Sequence, residues 1–185
     1  GRAMSRLLLV LSLLLPSTAA AQRVVHRVRF GDSLATISAS YYGSKEHALI
    51  IATANRIPPV KSLKVGEHLR IPTAWTFTLP KRMHRKQLTK RLLGDQQKWV
   101  ALQAFNRLGR RRWIRAGRKL TVPFEVTHEV TSGDTFPLLS KRYYRSSRYA
   151  SLIARYNLIK EPKPVPGTEL KVPIAHIRII PKRLE

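Results

Sequence analysis

Two short segments hold the residues with chemical potential: Gly31-Asp32-Ser33, following His26, and Gly133-Asp134-Thr135, following His128. A paired-carboxylate glycosidase site would require Asp32 and Asp134 to meet from equivalent places 102 residues apart. The six histidines (His26, His47, His68, His84, His128 and His176) contain no His-Glu-x-x-His and no pair at ligand spacing on one expected helix. Glu46 and His47 are neighbours in sequence, which does not make them a catalytic pair. The chain has no cysteine, which excludes a disulfide framework, thiolate zinc sites and a cysteine nucleophile. This inventory predicts a non-enzymatic protein with no metal and no cofactor. Gly-Asp-Ser/Thr is suited to turning the chain, capping a helix and exposing backbone polar groups.

Positioning those segments requires a folded core, and the composition supplies one. Of 185 residues 43% are apolar, although 35 Lys plus Arg face only 10 Asp plus Glu, a net charge of +25. A disordered basic tail lacks this much apolar content. The charge predicts a polyanionic surface or polymer nearby.

Residues 1–21 read as an address. Arg2 and Arg6 precede the apolar run Leu7 to Leu15, followed by Pro16 and the small residues Ser17 to Ala21. Nine residues make a helix of roughly 14 Å, against ~30 Å for a bilayer core. The pattern predicts a secretory signal peptide cut after Ala21, with Met4 as the start, Gln22 as the mature N-terminus and no transmembrane helix after removal. An exported chain without cysteine fits a bacterial envelope or periplasm, with an extracellular location also open.

The remainder is repetitive. His26 to Ser33 recurs as His128 to Thr135, Tyr41-Tyr42 as Tyr143-Tyr144, Ala52 as Ala154 and Asn55 as Asn157, all shifted by 102. Half that shift maps Gly43 on Gly94, Asn55 on Asn106, Gly66 on Gly117, Leu69 on Leu120 and Ile71-Pro72 on Val122-Pro123. Each copy predicts strand, helix, helix, strand. Val24 to Val28 is short, alternating and β-branched. Ser33 caps a helix bearing Leu34, Ile37 and Tyr41, and Ser44 opens a second over Ala48 to Ala54, closed by Asn55 in the left-handed conformation. His68 to Ile71 returns as a strand stopped by Pro72, after a loop at Ile57-Pro58-Pro59. Pro137 sits just inside the corresponding helix of the last copy. The resulting units are 22–74, 75–124 and 125–174, with a tail over 175–185 whose His176 to Ile180 alternation predicts an extra strand or extended segment.

Gly-Asp-Ser/Thr after the first strand, the Tyr pair, the Asn after the second helix and the closing Gly-x-x-Leu-x-Ile/Val-Pro together resemble the lysin motif, LysM. The resemblance is good over 24–73 and 126–174 and poor at the start of 75–124. It implies an α+β fold of tandem βααβ modules, each with two helices on a two-stranded antiparallel sheet. It also implies a shallow groove for N-acetylglucosamine-containing glycans, peptidoglycan or chitin, between the strand 1–helix 1 and helix 2–strand 2 loops. Carried onto this chain, the groove residues are Gly31, Asp32, Ser33, Leu34, Asn55, Arg56, Ile57 and Pro58, and then Gly133, Asp134, Thr135, Phe136, Asn157, Leu158 and Ile159. Acetamido groups ask for backbone amides and carbonyls, and a sugar's apolar side asks for Leu, Ile, Pro or Phe. Asp32 equally reads as a structural turn residue.

The middle copy departs from this pattern. Arg82-Met83-His84 replaces Gly-Asp-Ser, Leu92-Leu93 replaces the tyrosines, and 14 Lys and Arg against one acid give residues 75–124 a charge of +13. Arg110, Arg111, Arg112, Arg115 and Arg118 are candidate anionic contacts. The function these features predict is attachment to peptidoglycan through weak modules whose avidity multiplies on one polymer. The alternative is a structural or adaptor role in an envelope assembly, contacting a protein partner or polyanion. Charge alone would also suit nucleic acid, against which export and the resemblance argue.

Overall fold

The computed structural model describes residues 24–58 and 62–180; residues 1–23, with the expected signal peptide and its cleavage site, residues 59–61 and residues 181–185 lie outside them. The fold is α+β, and three times along the chain two helices cover a small antiparallel sheet. In the first unit β1 (Val24–Arg27) pairs with β2 (His68–Ile71), Val24 opposite Ile71. Alternation along β2 turns Leu69 and Ile71 inward and leaves His68 and Arg70 in solvent. Between the strands run α1 (Leu34–Tyr42) and α2 (Ala48–Ala54). Ser33 and Thr36 form a reciprocal capping box at α1, while Ser44 caps a 3₁₀ turn over Lys45–His47 that leads into α2.

The second unit has β3 (Trp75–Thr78), a two-residue β4 (Met83–His84), α3 (Arg85–Leu93), α4 (Trp99–Asn106), a two-residue β5 (Trp113–Ile114) and β6 (Lys119–Val122), with β3 on β6 and β4 on β5. The third has β7 (Phe124–Glu129), α5 (Phe136–Tyr144), α6 (Ala150–Tyr156) and β8 (Glu169–Ile174), with β7 on β8.

One side chain fixes each unit. Asn55 Nδ2 donates to Ile51 O on α2 and Arg70 O on β2, while its Oδ1 accepts from Arg70 N at 2.8 Å. Asn106 makes the same three bonds to Leu102 and Thr121, and Asn157 to Ile153 and Lys171. The left-handed residue is therefore not the Asn, as expected for Asn55. It is the next one, with φ of 53° at Arg56, 52° at Arg107 and 57° at Leu158. Asn55 stays at φ −109° because its amide must reach back to the helix and sideways to the strand together.

The units pack without linkers. The first and third share one core, in which Ile37, Ile51 and Leu69 meet Leu139, Ile153 and Ile174. The second keeps its own core around Leu88, Leu102 and Leu120, and a small cluster of Ala101, Leu152 and Tyr156 joins it to the third. Among the described residues after β8, 175–180, there is no strand, but the segment is bound. Ala74 N donates to Ile177 O, Ile180 N to Tyr41 O and Arg178 to Thr76 and Thr121, so the tail ties units one and two together. Ile180 Cδ1 lies 2.5 Å from where a Cβ on Gly43 would stand, and Gly43 has φ 74°, so only glycine fits that crossing.

Replacing Asn106 by Ala strands Thr121 N and two carbonyls. Chemical denaturation should show a loss of about 2 kcal/mol, and a loss below about 0.5 kcal/mol would reject the clamp as a determinant of the fold.

Candidate functional site

The loop between β1 and α1 is built around Asp32. Its Oδ2 accepts from Arg29 N at 2.7 Å and from His26 Nε2 at 2.9 Å, and His26 Nδ1 lies 3.2 Å from the Tyr41 hydroxyl. The third unit repeats this with Asp134, Thr131 N at 2.8 Å, His128 Nε2 at 3.0 Å, and His128 Nδ1 at 2.9 Å from the Tyr143 hydroxyl. A carboxylate only accepts, so each Nε2 carries the hydrogen, and in the neutral ring Nδ1 accepts from the tyrosine. Asp134 gains Thr131 Oγ1 and an ion pair with Arg142 at 3.3 Å. The second tyrosines, Tyr42 and Tyr144, donate to Pro72 O and Pro173 O and anchor α1 and α5 to the end of β2 and β8.

The expected groove residues divide accordingly. Gly31, Ser33, Arg56, Pro58, Gly133 and Leu158 are exposed, and Leu34, Thr135 and Ile159 are half-buried. Phe136 and Ile57 are largely in the core, 5% and 7% exposed, because each follows a turn directly and points under its helix pair, although Ile57 keeps an edge on the cleft between units one and three. Asp134 is 7% exposed and turned inward, and Asp32 serves its turn in the same way. Asn55 and Asn157 use their amides in the clamp. What these six positions leave for a ligand is backbone and the neighbours they hold in place.

One residue went unnoticed in the sequence. Phe30, just before Gly31, is 96% exposed. Its signal was an aromatic at a turn position where the third copy has Ser132.

In the middle unit, Phe77, Met83 and Leu92 stand where the first has His26, Asp32 and Tyr41, so a polar triad becomes part of an apolar core. Its two loops are also bonded to each other. Met83 pairs with Ile114 and His84 with Trp113, and Arg85 N donates to Arg112 O. His84 takes over the cap of α3 through Nδ1, and the Arg82 guanidinium lies 4.6 Å over the Trp113 ring. Arg110, Arg111, Arg112 and Arg115 are exposed on this bonded loop, while Arg118 donates to Asn106 O.

A cleft of about 990 Å³ opens between units one and three. Leu34, Arg56, Ile57 and Pro58 form part of one wall, and Thr127, His128 and Glu129 of β7 belong to the other. Arg56 pairs with Glu169 at 3.3 Å across the two units. The lining includes Thr131 of the third unit's first loop but not Gly133, Thr135, Leu158 or Ile159, so Leu34, Arg56 and Pro58 of the first unit stand across the cleft from β7 and Thr131.

A family model for the LysM domain matches residues 26–72 and 128–173, the two stretches in which, among the described residues, no β4–β5-type pairing joins the loops. The chain belongs to the LysM family. Its LysM units also resemble part of two proteins of Mycobacterium tuberculosis: Esterase MT1326 (strain CDC 1551 / Oshkosh) and Esterase Rv1288 (strain ATCC 25618 / H37Rv). Each is 27% identical over 137 residues, which is 74% of this chain and 30% of the relative. The chain therefore spans under a third of the curated relatives it matches. Among the described residues no helix is long and apolar enough to cross a membrane.

The electrostatics of the LysM loops predict an acid response. Burial alone would raise the Asp134 carboxyl, but bonds from Thr131 N, His128 and the Thr131 hydroxyl, with the Arg142 charge, outweigh it and hold it at about 2. Asp32 is lowered too, chiefly by the Arg29 amide and then by His26. A depressed carboxyl adds stability that is full above its unfolded value near 4 and lost as pH falls through the folded value. For Asp134 this is roughly 2 kcal/mol. Denaturant midpoints should fall between pH 4 and pH 2, and Asp134→Asn should flatten that fall; an unchanged slope would remove Asp134 as its source.

Proposed function

We propose that this chain is an exported, non-catalytic protein that attaches to peptidoglycan, or a related N-acetylglucosamine polymer, through its first and third LysM units. Residues 75–124 are in this reading a third, degenerate copy. The observation that carries it is the state of the loop pairs. In the two units the family model matches they are bonded at their bases, through Val28 with Gly66 and Glu67 and through Val130 with Gly167 and Thr168, but among the described residues no strand pairing like β4–β5 joins them, and Phe30, Gly31, Gly133 and Leu158 are exposed. An apolar side chain next to free backbone groups suits the flat side of a sugar and its acetamido group. In the middle unit the β4–β5 pairing joins the same loops.

The non-catalytic reading is supported by how the two His–Asp pairs are committed. Each histidine's second nitrogen faces a tyrosine hydroxyl rather than a serine or other nucleophile. The esterase name belongs to relatives of which this chain matches 30%. Export rests on the Leu7 to Leu15 run and the Ala19-Ala20-Ala21 step. The second reading, an adaptor in an envelope assembly, draws on Arg110, Arg111, Arg112 and Arg115, none of which pairs with a carboxylate among the described residues.

Sedimentation with purified peptidoglycan tests this, with chitin beside it. Phe30→Ala and Leu158→Ala should each weaken binding by about fivefold, the loss of roughly 1 kcal/mol of apolar contact. The double variant should lose more than the product, because avidity needs two sites on one polymer. Retained binding in the double variant would move the attachment away from these loops and favour the adaptor reading.

A further inference from the structure

Away from the sugar-binding loops, a second cleft of about 530 Å³ lies between units two and three. Each wall is one helical stripe. Val100, Gln103, Ala104 and Arg107 follow i, i+3, i+4, i+7 along α4 and its end. Arg148, Ser151, Leu152 and Arg155 repeat that spacing along α6 and the turn before it, with Tyr149 beside them. Three guanidiniums thus enter one recess from two sides, and no carboxylate lines it. Among the described residues none of the three forms an ion pair.

The repeat does not demand this charge. Arg148 stands where the first two units have Glu46 and Gln97, and Arg155 where they have Thr53 and Ala104. Three like charges facing one cleft repel each other unless an anion joins them. Arg148 is also held in place: it lies 4.8 Å over the Tyr149 ring and donates to its hydroxyl at 2.7 Å. Packing of α4 on α6 through Ala101, Leu152 and Tyr156 fixes the width of the recess.

We propose that this cleft is a second binding site, for a phosphate group carried on a polysaccharide. A carboxylate offers two coplanar oxygens and one charge. A tetrahedral phosphate offers oxygens in several directions, which suits guanidinium forks arriving from opposite walls with the Ser151 hydroxyl between them. The polysaccharide carrier rests on the glycan-binding function proposed above; the phosphate chemistry does not. A chain with both sites holds the sugar of one polymer and the charge of another, or two features of the same one.

The test uses the whole chain with phosphomannan, the same mannan after enzymatic dephosphorylation, inorganic phosphate and duplex DNA as probes. At 0.1 M salt, Arg107→Gln/Arg155→Gln should weaken phosphomannan binding about tenfold, and Arg110→Gln/Arg111→Gln, which removes equal charge elsewhere, by about twofold or less. Inorganic phosphate should shift NMR signals of Arg107, Arg148 and Arg155 in the parent protein. Both pairs should keep the parent melting temperature and the binding of neutral chitin oligomers, so a failure of the sugar-binding reading would register separately. Equal loss in the two pairs would reduce the effect to diffuse charge. Equal binding of dephosphorylated mannan would overturn the phosphate assignment. Duplex DNA bound more tightly than phosphomannan and dependent on the same two arginines would overturn the polysaccharide carrier.

Discussion

The three-bond reach of a single asparagine sets the geometry of every unit. The end of a second helix leaves carbonyls without partners, and an edge strand leaves an amide and a carbonyl open on one side. Asn55, Asn106 and Asn157 satisfy both with one planar group, so helix and strand hold a fixed distance and angle. The chain must then turn within one residue, and the left-handed conformation falls on Arg56, Arg107 or Leu158. That turn opens the second binding loop. A longer side chain would overshoot the strand and a shorter one would leave three backbone groups without this partner.

The rest of each unit can vary around that constraint, as the middle unit shows. The His–Asp–Tyr triads order the first loop in units one and three, yet Phe77, Met83 and Leu92 replace all three members together. Replacing every partner avoids leaving a buried polar group unsatisfied, so the fold survives while the loop changes its job. The loops then bond to each other through β4 and β5, and the Arg82 guanidinium lies over one face of Trp113, which stays about half exposed.

The βααβ order, the helix caps and the repeat were legible because each rests on local chemistry: alternation, a hydroxyl before a helix, a glycine in a turn. The binding loops were legible in position but not in orientation. Nothing local says that Phe136 turns under its helices while Phe30 stands free, since both are phenylalanines within a few residues of a Gly-Asp turn. Nor could a single unit reveal that Leu34 and Pro58 face the β7 strand of another unit, or that Arg107 would meet Arg148 and Arg155. Those facts depend on how units dock, which is decided by apolar surfaces spread over the whole chain. The tail's alternation from His176 was read as strand or extended segment. Among the described residues 175–180 no strand forms, because Thr73, Ala74 and Tyr41 offer scattered backbone and hydroxyl partners rather than an open strand edge.

Packing the units into one body also separates two kinds of recognition. Shared burial of the first and third units sets Leu34, Arg56 and Pro58 of one across a cleft from β7 and Thr131 of the other. Under the proposed function, two units held in one body suit a long polymer, where the second contact adds at high effective concentration. The middle unit, with its loops joined, holds +13 of the chain's charge on surfaces those contacts leave open. A sugar's apolar face is read over the few ångströms of a loop, while charge is felt over a Debye length of ~8 Å at physiological salt. Under the proposed function, concentrating cations in the middle unit adds long-range attraction to an anionic polymer without adding desolvated charge to the loops of the first and third units, where it would oppose binding.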